Sequence, residues 1–236
     1  MIDFHSHILP GIDDGSASPE ESEALLVSLA GQGVDVVALT PHFYPQENSL
    51  DVFLEERDRA FERLKPVLRE GMPEVVLGAE VYYYQGISRM EDLNRLRLGD
   101  TKLLMLEMPM RKWSESMIRE VVDISCRGNM KLMLAHINRY LPLQDRGCVE
   151  KLLEYGVLMQ VNAEFFNNRD TVRMALKMLK KEQIHVLGSD CHNMEDRCPR
   201  LGEAVEVIRK KMGDAYTDSF LHAGYRLLDL KARRTE

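Results

Sequence analysis

The sequence predicts an α/β fold, a distorted TIM-like (β/α)7 barrel with a metal site at the C-terminal ends of its strands. Three observations predict the barrel. A short apolar run followed by an amphipathic helix recurs along the whole chain. Several runs are almost continuously apolar, as parallel strands covered by helices must be. No glycine-rich nucleotide fingerprint follows the first run, which weighs against the rival doubly wound sheet. The 236 residues, 44% of them hydrophobic, suffice for one barrel-sized core. No linker, low-complexity tract or short repeat divides them, so a single domain spanning 1–236 is expected.

Residues 1–4 read as the first strand. Ser18-Pro19-Glu20-Glu21 then opens a helix with a cap, a proline at the first helical position and a capping-box glutamate. Gly31 and Gly33 close it, and 34–39 is the second strand. A long helix starts at Ser49, with Leu50, Phe53, Phe61, Leu64 and Leu68 on one face, and ends near Gly71. Five further strands are predicted over 75–79, 103–106, 132–135, 157–161 and 185–188. Helices are expected over 114–127, 147–155, 171–181 (capped by Asp170), 200–211 and 214–230.

A net charge of −7 and a pI near 5.6 give no footprint for a nucleic-acid backbone, so nucleic-acid partners and nuclease activity are not expected. No apolar run approaches a membrane span, and Asp3, His5 and His7 argue against a signal peptide at the start. The four cysteines form neither a disulfide framework nor a paired thiolate zinc motif. A cytoplasmic protein without membrane insertion is expected.

Histidines and acids fall where the strands end. His5 and His7 close the first strand, His42 follows the second, Glu80 ends the third and Glu107 the fourth. His136 ends the fifth, Asp190 and His192 the seventh, and Asp14 lies in the loop after His7. In a β/α barrel these ends share the rim where active sites are built. His5 with His7, and Asp190 with His192, are two residues apart, so on extended strands each pair faces one side. One such histidine is ordinarily a hydrogen-bonded core group, and one such glutamate a solvated charge. Five imidazoles and four carboxylates together would bury mutually repelling charge unless cations compensate. Nine ligands exceed the four to six positions of one ion and suit two or three, and this thiolate-free set suits manganese, iron or zinc.

At this point the chain resembles a known family. His5-Ser6-His7, Pro10-Gly11-Ile12-Asp13-Asp14-Gly15, Thr40-Pro41-His42, Gly78-Ala79-Glu80, Leu106-Glu107-Met108-Pro109, Ala135-His136 and Ser189-Asp190-Cys191-His192-Asn193 are similar to the polymerase-and-histidinol-phosphatase (PHP) superfamily. More closely they resemble its bacterial manganese-dependent protein-tyrosine phosphatases of capsule and exopolysaccharide operons. The resemblance implies a distorted barrel, three divalent metal ions, and dephosphorylation of a bacterial tyrosine autokinase. It implies that His5, His7, Glu80 and Asp190 hold one ion, that Glu80 bridges to a second held by Glu107 and His136, and that Asp14, His42 and His192 hold the third. Arg139 and Arg197 match the family's phosphate contacts, where a guanidinium fork orients phosphoryl oxygens while a metal-bound hydroxide attacks phosphorus in line. Taken singly, either arginine reads as a surface salt bridge.

Two stretches depart from the family pattern, Ile137-Asn138 before Arg139 and Glu164-Phe165-Phe166 after Ala163. Both are expected on the rim that meets substrate. Cys191 and Arg197 have the spacing of cysteine-based phosphatases, but the intervening loop lacks glycine and carries Glu195 and Asp196. Alternation also turns Cys191 away from Asp190 and His192, so it is not read as a nucleophile. Tyr82-Tyr83-Tyr84 and Trp113 are read as packing or pocket residues, and Met105, Met108 and Met110 as filler of the barrel wall. The competing functions are a phosphotyrosine-protein phosphatase, a phosphatase of a small phosphomonoester such as histidinol phosphate, and a non-catalytic scaffold. The complete ligand set argues against the last.

Overall fold

A computed structural model describes residues 1–145 and 147–230; residue 146 and residues 231–236 of the expected single domain lie outside it. In chain order the strands are β1 (Ile2–Ser6), β2 (Val36–Leu39), β3 (His42–Phe43), β4 (Glu74–Leu77), β5 (Glu80–Tyr82), β6 (Leu103–Glu107), β7 (Lys131–Leu134), β8 (Leu158–Asn162) and β9 (Val186–Gly188). The helices are α1 (Pro19–Gly31), α2 (Leu50–Leu64), α3 (Glu115–Ser125), α4 (Ile137–Tyr140), α5 (Cys148–Glu154), α6 (Glu164–Asn167), α7 (Val172–Lys180), α8 (Leu201–Met212) and α9 (Asp214–Leu227). All strand pairs are parallel, in the orders β1-β2-β4 and β3-β5-β6-β7-β8-β9. This is the predicted α/β architecture, a parallel sheet curled into a barrel-like ring.

Beyond the second and third predicted strands the ladder breaks and resumes as the short strands β3 and β5, which the sequence reading did not foresee. Pro41 has no N–H for a ladder, and Gly78 fits where a Cβ would stand 3.1 Å from Leu98. After these breaks β3 and β5 re-pair, with His42 opposite Glu80. The ring closes at its top, where the His7 N–H donates to the Cys191 carbonyl (2.9 Å) and the Asp190 N–H to the His5 carbonyl (2.8 Å). Closure and site are therefore built from the same residues. β1 carries one extra residue relative to β2 between Asp3 and Ser6, a bulge that aligns Ser6 with Leu39.

The core divides by strand parity. Val37, Leu39, Leu104, Leu106, Leu132 and Leu134 join helix residues such as Leu25, Phe53, Val121 and Leu179 in one large cluster. Val36, Ala38, Leu103, Met105, Met133 and Val186 form a second with Tyr225 and Leu228. α1 starts as predicted, with the Glu21 N–H donating to Ser18 Oγ and the Ala17 N–H to the Glu21 carboxylate. Four details differ from expectation. α7 is capped from Thr171 without a side-chain bond, so Asp170 is not its cap. α9 ends at Leu227, and α4 and α6 are short turns that periodicity cannot show. Met105 and Met108 fill the wall, but Met110 is 59% exposed.

Gly188 is a tight point of the inner face, since a Cβ there would lie 2.5 Å from His5 Cβ and 2.6 Å from Gln160 Nε2. Overpacking of this kind costs about 1–3 kcal/mol. Gly188→Ala is therefore expected to lower the melting temperature by about 2–10 °C. An unchanged melting temperature by calorimetry would contradict this packing.

Candidate metal centre

All nine predicted ligand residues lie at the C-terminal rim. His5, His7, Glu80, His136, Asp190 and His192 are buried, His42 and Glu107 are partly covered, and Asp14 is 63% exposed on its loop. His5 Nε2 lies 3.1 Å from His7 Nε2, as the two-residue spacing on β1 predicts. Both reach Glu80 Oε2, at 3.2 and 3.3 Å, and Asp190 Oδ1, at 3.7 and 3.5 Å. His136 Nε2 stands 2.8 Å from Glu80 Oε1 and 3.7 Å from Glu107 Oε1. Asp14 Oδ1 lies 3.5 Å from His42 Nε2 and 3.3 Å from His192 Nε2.

Strand alternation does not explain every orientation. His136 (φ +31°) and Asp190 (φ +52°) adopt the left-handed region, uncommon for residues with a Cβ. Each sits just past a strand end, where the twist swings its side chain back over the ring. Such strain persists where surroundings over-determine it, commonly at functional sites. Cys191, between two of these residues, is fully buried, and burial drives its thiol well above its usual range. A buried thiol with ligands on both sides argues against reading the spacing Cys191–Arg197 as a nucleophile motif.

Buried partners that the sequence reading passed over orient the rings. Asp13 accepts from His7 Nδ1 (2.8 Å) and from the backbone N–H groups of Gly15 (3.0 Å) and His42 (3.1 Å). Gln160 Oε1 accepts from His5 Nδ1 (3.2 Å) and the His136 N–H (2.6 Å). Its Nε2 donates to Asn162 Oδ1 (3.0 Å), and Asn162 Nδ2 donates to Asp190 Oδ2 (2.8 Å). A single amide chain on β8 therefore ties together groups from three strand ends. Asp3 accepts from the Ser189 N–H (2.8 Å) and hydroxyl (2.6 Å) beneath them. The only available sequence signal was the period-two Gln160-x-Asn162, polar in an otherwise apolar strand.

Charge crowding dominates the electrostatics. Burial, reinforced by Glu80, pushes Glu107 up to about 7. Burial also opposes ionisation of Glu80, but the surrounding histidines outweigh it and hold its carboxyl well below the usual range. His7 is buried too, yet Asp13 and Glu80 raise it to about 10, while burial and the neighbouring His7 push His192 down to about 4. Among the described residues, five buried atoms of this cluster make no well-directed hydrogen bond, His42 Nδ1, Glu80 Oε2, Glu107 Oε2, His136 Nδ1 and His192 Nε2, although His42 Nδ1 and Glu80 Oε2 lie only 3.0 Å apart. Lone pairs left so are costly, and imidazole and carboxylate donors fit divalent cations. Three groupings bring ligand atoms within 4.8 Å of one another: His7, Asp14, His42 and His192; His5, His7 and Asp190; and His42, Glu80 and Glu107. The groupings differ in detail from the expected three sets, most visibly in placing His42 beside Glu80 and Glu107.

Arg139 and Arg197 converge on Asp190, with Nη2 groups at 2.5 Å from Oδ2 and 3.0 Å from Oδ1. They border a cavity of about 320 Å³ with Asn162, Glu164, Ser189 and Arg200. This placement is at the site, not on a remote surface. The departures divide differently from expectation: Glu164 faces this cavity, but Ile137, Phe165 and Phe166 are core, and Asn138 Oδ1 accepts from the Asn162 N–H (3.0 Å). Only Glu164 of that stretch meets the rim, because turns α4 and α6 fold the apolar side chains inward. Trp113 is also core, its Nε1 donating to the Pro109 carbonyl and its ring edge-on to Tyr140.

The family described as capsular polysaccharide synthesis, CpsB/CapC, matches residues 1–228. The chain belongs to this family. It is 30% identical to the tyrosine-protein phosphatase CpsB of Streptococcus pneumoniae over 90% of its own length and 91% of the relative's. It is 27% identical to the tyrosine-protein phosphatase YwqE of Bacillus subtilis, covering 90% and 85% of the two chains. A crystal structure from the work on YwqE and CpsB, described there as unique metal-dependent tyrosine phosphatases, superposes with a TM-score of 0.81 at 23% identity over 100% of this chain and 97% of that one. A DAHP synthase from Thermotoga maritima shares the barrel at a TM-score of 0.51 and 16% identity, covering 92% and 70%.

The amide chain carries a consequence for metal affinity. Gln160→Leu is expected to keep the fold but weaken metal binding about 10- to 100-fold, as loss of ligand-orienting partners does elsewhere. Titration calorimetry with manganese measures it, and wild-type affinity would refute the orienting role.

Proposed function

We propose that this chain is a metal-dependent phosphomonoester hydrolase acting on phosphotyrosine of a bacterial tyrosine autokinase in the cytoplasm. The observation that carries the reading is the convergence of nine imidazole and carboxylate side chains on one rim, beside two arginines, in a member of this family. Relatives at 30% and 27% identity named as tyrosine phosphatases support the protein substrate over a small phosphomonoester. His5, His7, Glu80 and Asp190 would hold one ion, Glu80 with Glu107 and His136 a second, and Asp14, His42 and His192 a third. The resemblance to manganese-dependent phosphatases points to manganese, while the donor set itself admits manganese, iron or zinc. Such ions supply Lewis acidity toward phosphoryl oxygens and lower the pKa of water.

The chain's own groups do the rest. Arg139 and Arg197 present guanidinium forks that bind and orient the phosphoryl oxygens. Asp190 holds both forks at one edge of the site. Asp13, Gln160 and Asn162 keep the imidazoles and Asp190 in register, so little reorganisation accompanies charge development.

Chelation is expected to abolish aryl-phosphate hydrolysis and manganese to restore it, whereas Cys191→Ser retains most of the turnover. Full activity in a verified metal-free sample, or a phosphocysteine intermediate, would overturn the reading. Arg139→Ala and Arg197→Ala should each leave metal content unchanged and lose about 2–3 kcal/mol of transition-state stabilisation, about 30- to 150-fold in kcat/KM. Lysine should rescue only part, because a point charge does not reproduce the fork. Steady-state kinetics with metal analysis decide it; wild-type kcat/KM in both alanine variants would make these arginines structural charges.

A further inference from the structure

An aromatic layer stands above the ligand layer. Tyr44 follows His42 by two residues and Tyr82 follows Glu80 by two, so alternation sets each one level nearer solvent on the ligands' own side. The rings confirm the stacking: His42 to Tyr44 is 5.1 Å at 28°, and Tyr44 to Tyr82 is 5.5 Å at 54°. Tyr82 pairs across the sheet with Glu107. Past Tyr82 opens a groove of about 600 Å³ lined by Tyr83, Tyr84, Pro109, Met110 and Arg111. Met110 is exposed there, and the Arg111 guanidinium makes no ion pair among the described residues.

We infer that Tyr44 and Tyr82 form the aryl-recognition wall of the site, and that the adjoining groove receives the polypeptide flanking a phosphotyrosine, with Arg111 toward an acidic side chain of that segment. The inference rests on the phosphatase reading above and names its substrate subsite. Continuity is the first argument, because one ring sequence leads from His42 through Tyr44 and Tyr82 into the groove. Reach is the second. The proposed ligands lie below the aromatic layer, and a tyrosine holds its ester oxygen farther from the main chain than serine's single methylene does. A substrate ring entering past Tyr44 and Tyr82 meets aromatic faces with which offset or edge-on packing is favourable. Charge is the third: Arg111 offers an unpaired cation at the far side of a rim otherwise dense in carboxylates.

Kinetics on a tyrosine phosphopeptide with a neighbouring acidic residue, nitrophenyl phosphate and glycerol phosphate separate the outcomes. Tyr44→Ala and Tyr82→Ala are expected to lower kcat/KM for both aryl esters about three- to tenfold relative to the alkyl ester, with metal content unchanged and recovery in the phenylalanine variants. Arg111→Glu is expected to shift the phosphopeptide-to-nitrophenyl ratio downward by about three- to fivefold. Equal losses on aryl and alkyl esters, or wild-type ratios in all three variants, would overturn the inference while leaving the phosphatase reading intact. A metal-loaded wild type that hydrolyses none of the aryl esters would instead remove the phosphatase reading, and this inference with it.

Discussion

The structure turns on the crowding of four carboxylates and five imidazoles at one end of a ring of parallel strands. Isolated buried carboxylates are too costly to keep, and here their neighbours share the compensation unequally. Glu80 is held ionised by the histidines around it, whereas Glu107 is driven up to about 7 by burial and by Glu80 itself. The cluster is balanced only in part by its own hydrogens, since several buried nitrogen and oxygen atoms make no well-directed hydrogen bond. That imbalance suits it to divalent cations.

The surrounding fold serves to hold this arrangement in place. Breaks at Pro41 and Gly78 let β3 and β5 re-pair at a new level, setting His42 opposite Glu80. Closure of the ring through His5, His7, Asp190 and Cys191 means that barrel stability and site geometry share hydrogen bonds. The left-handed backbones of His136 and Asp190 are kept by the amide chain from Gln160 to Asn162. The strand ends hold the ligand cluster, while Asp14 and the tyrosine layer occupy the more exposed rim.

Much of this was legible in the amino-acid sequence. The alternation of apolar runs with amphipathic helices determined a parallel α/β barrel, because strands buried on both faces, by helices outside and the barrel interior inside, need continuous apolarity. The rule that such strands place their C-terminal ends on one rim determined that nine separated residues would meet. Ser18 and Glu21 determined where α1 begins. What only the tertiary structure decided is what depends on contacts between segments far apart in sequence. Gln160 and Asp13 read as ordinary polar residues until His5, His136 and His7 are brought beside them. Phe165 and Phe166 pointed to the rim by position but turn into the core, because a short turn after β8 reverses the direction that alternation gives. Local pattern carries periodicity and caps. It does not carry which distant groups share a desolvated volume, and it is that shared volume which sets the ionisation of Glu107, the orientation of His5 and the placing of Tyr44 beside Tyr82.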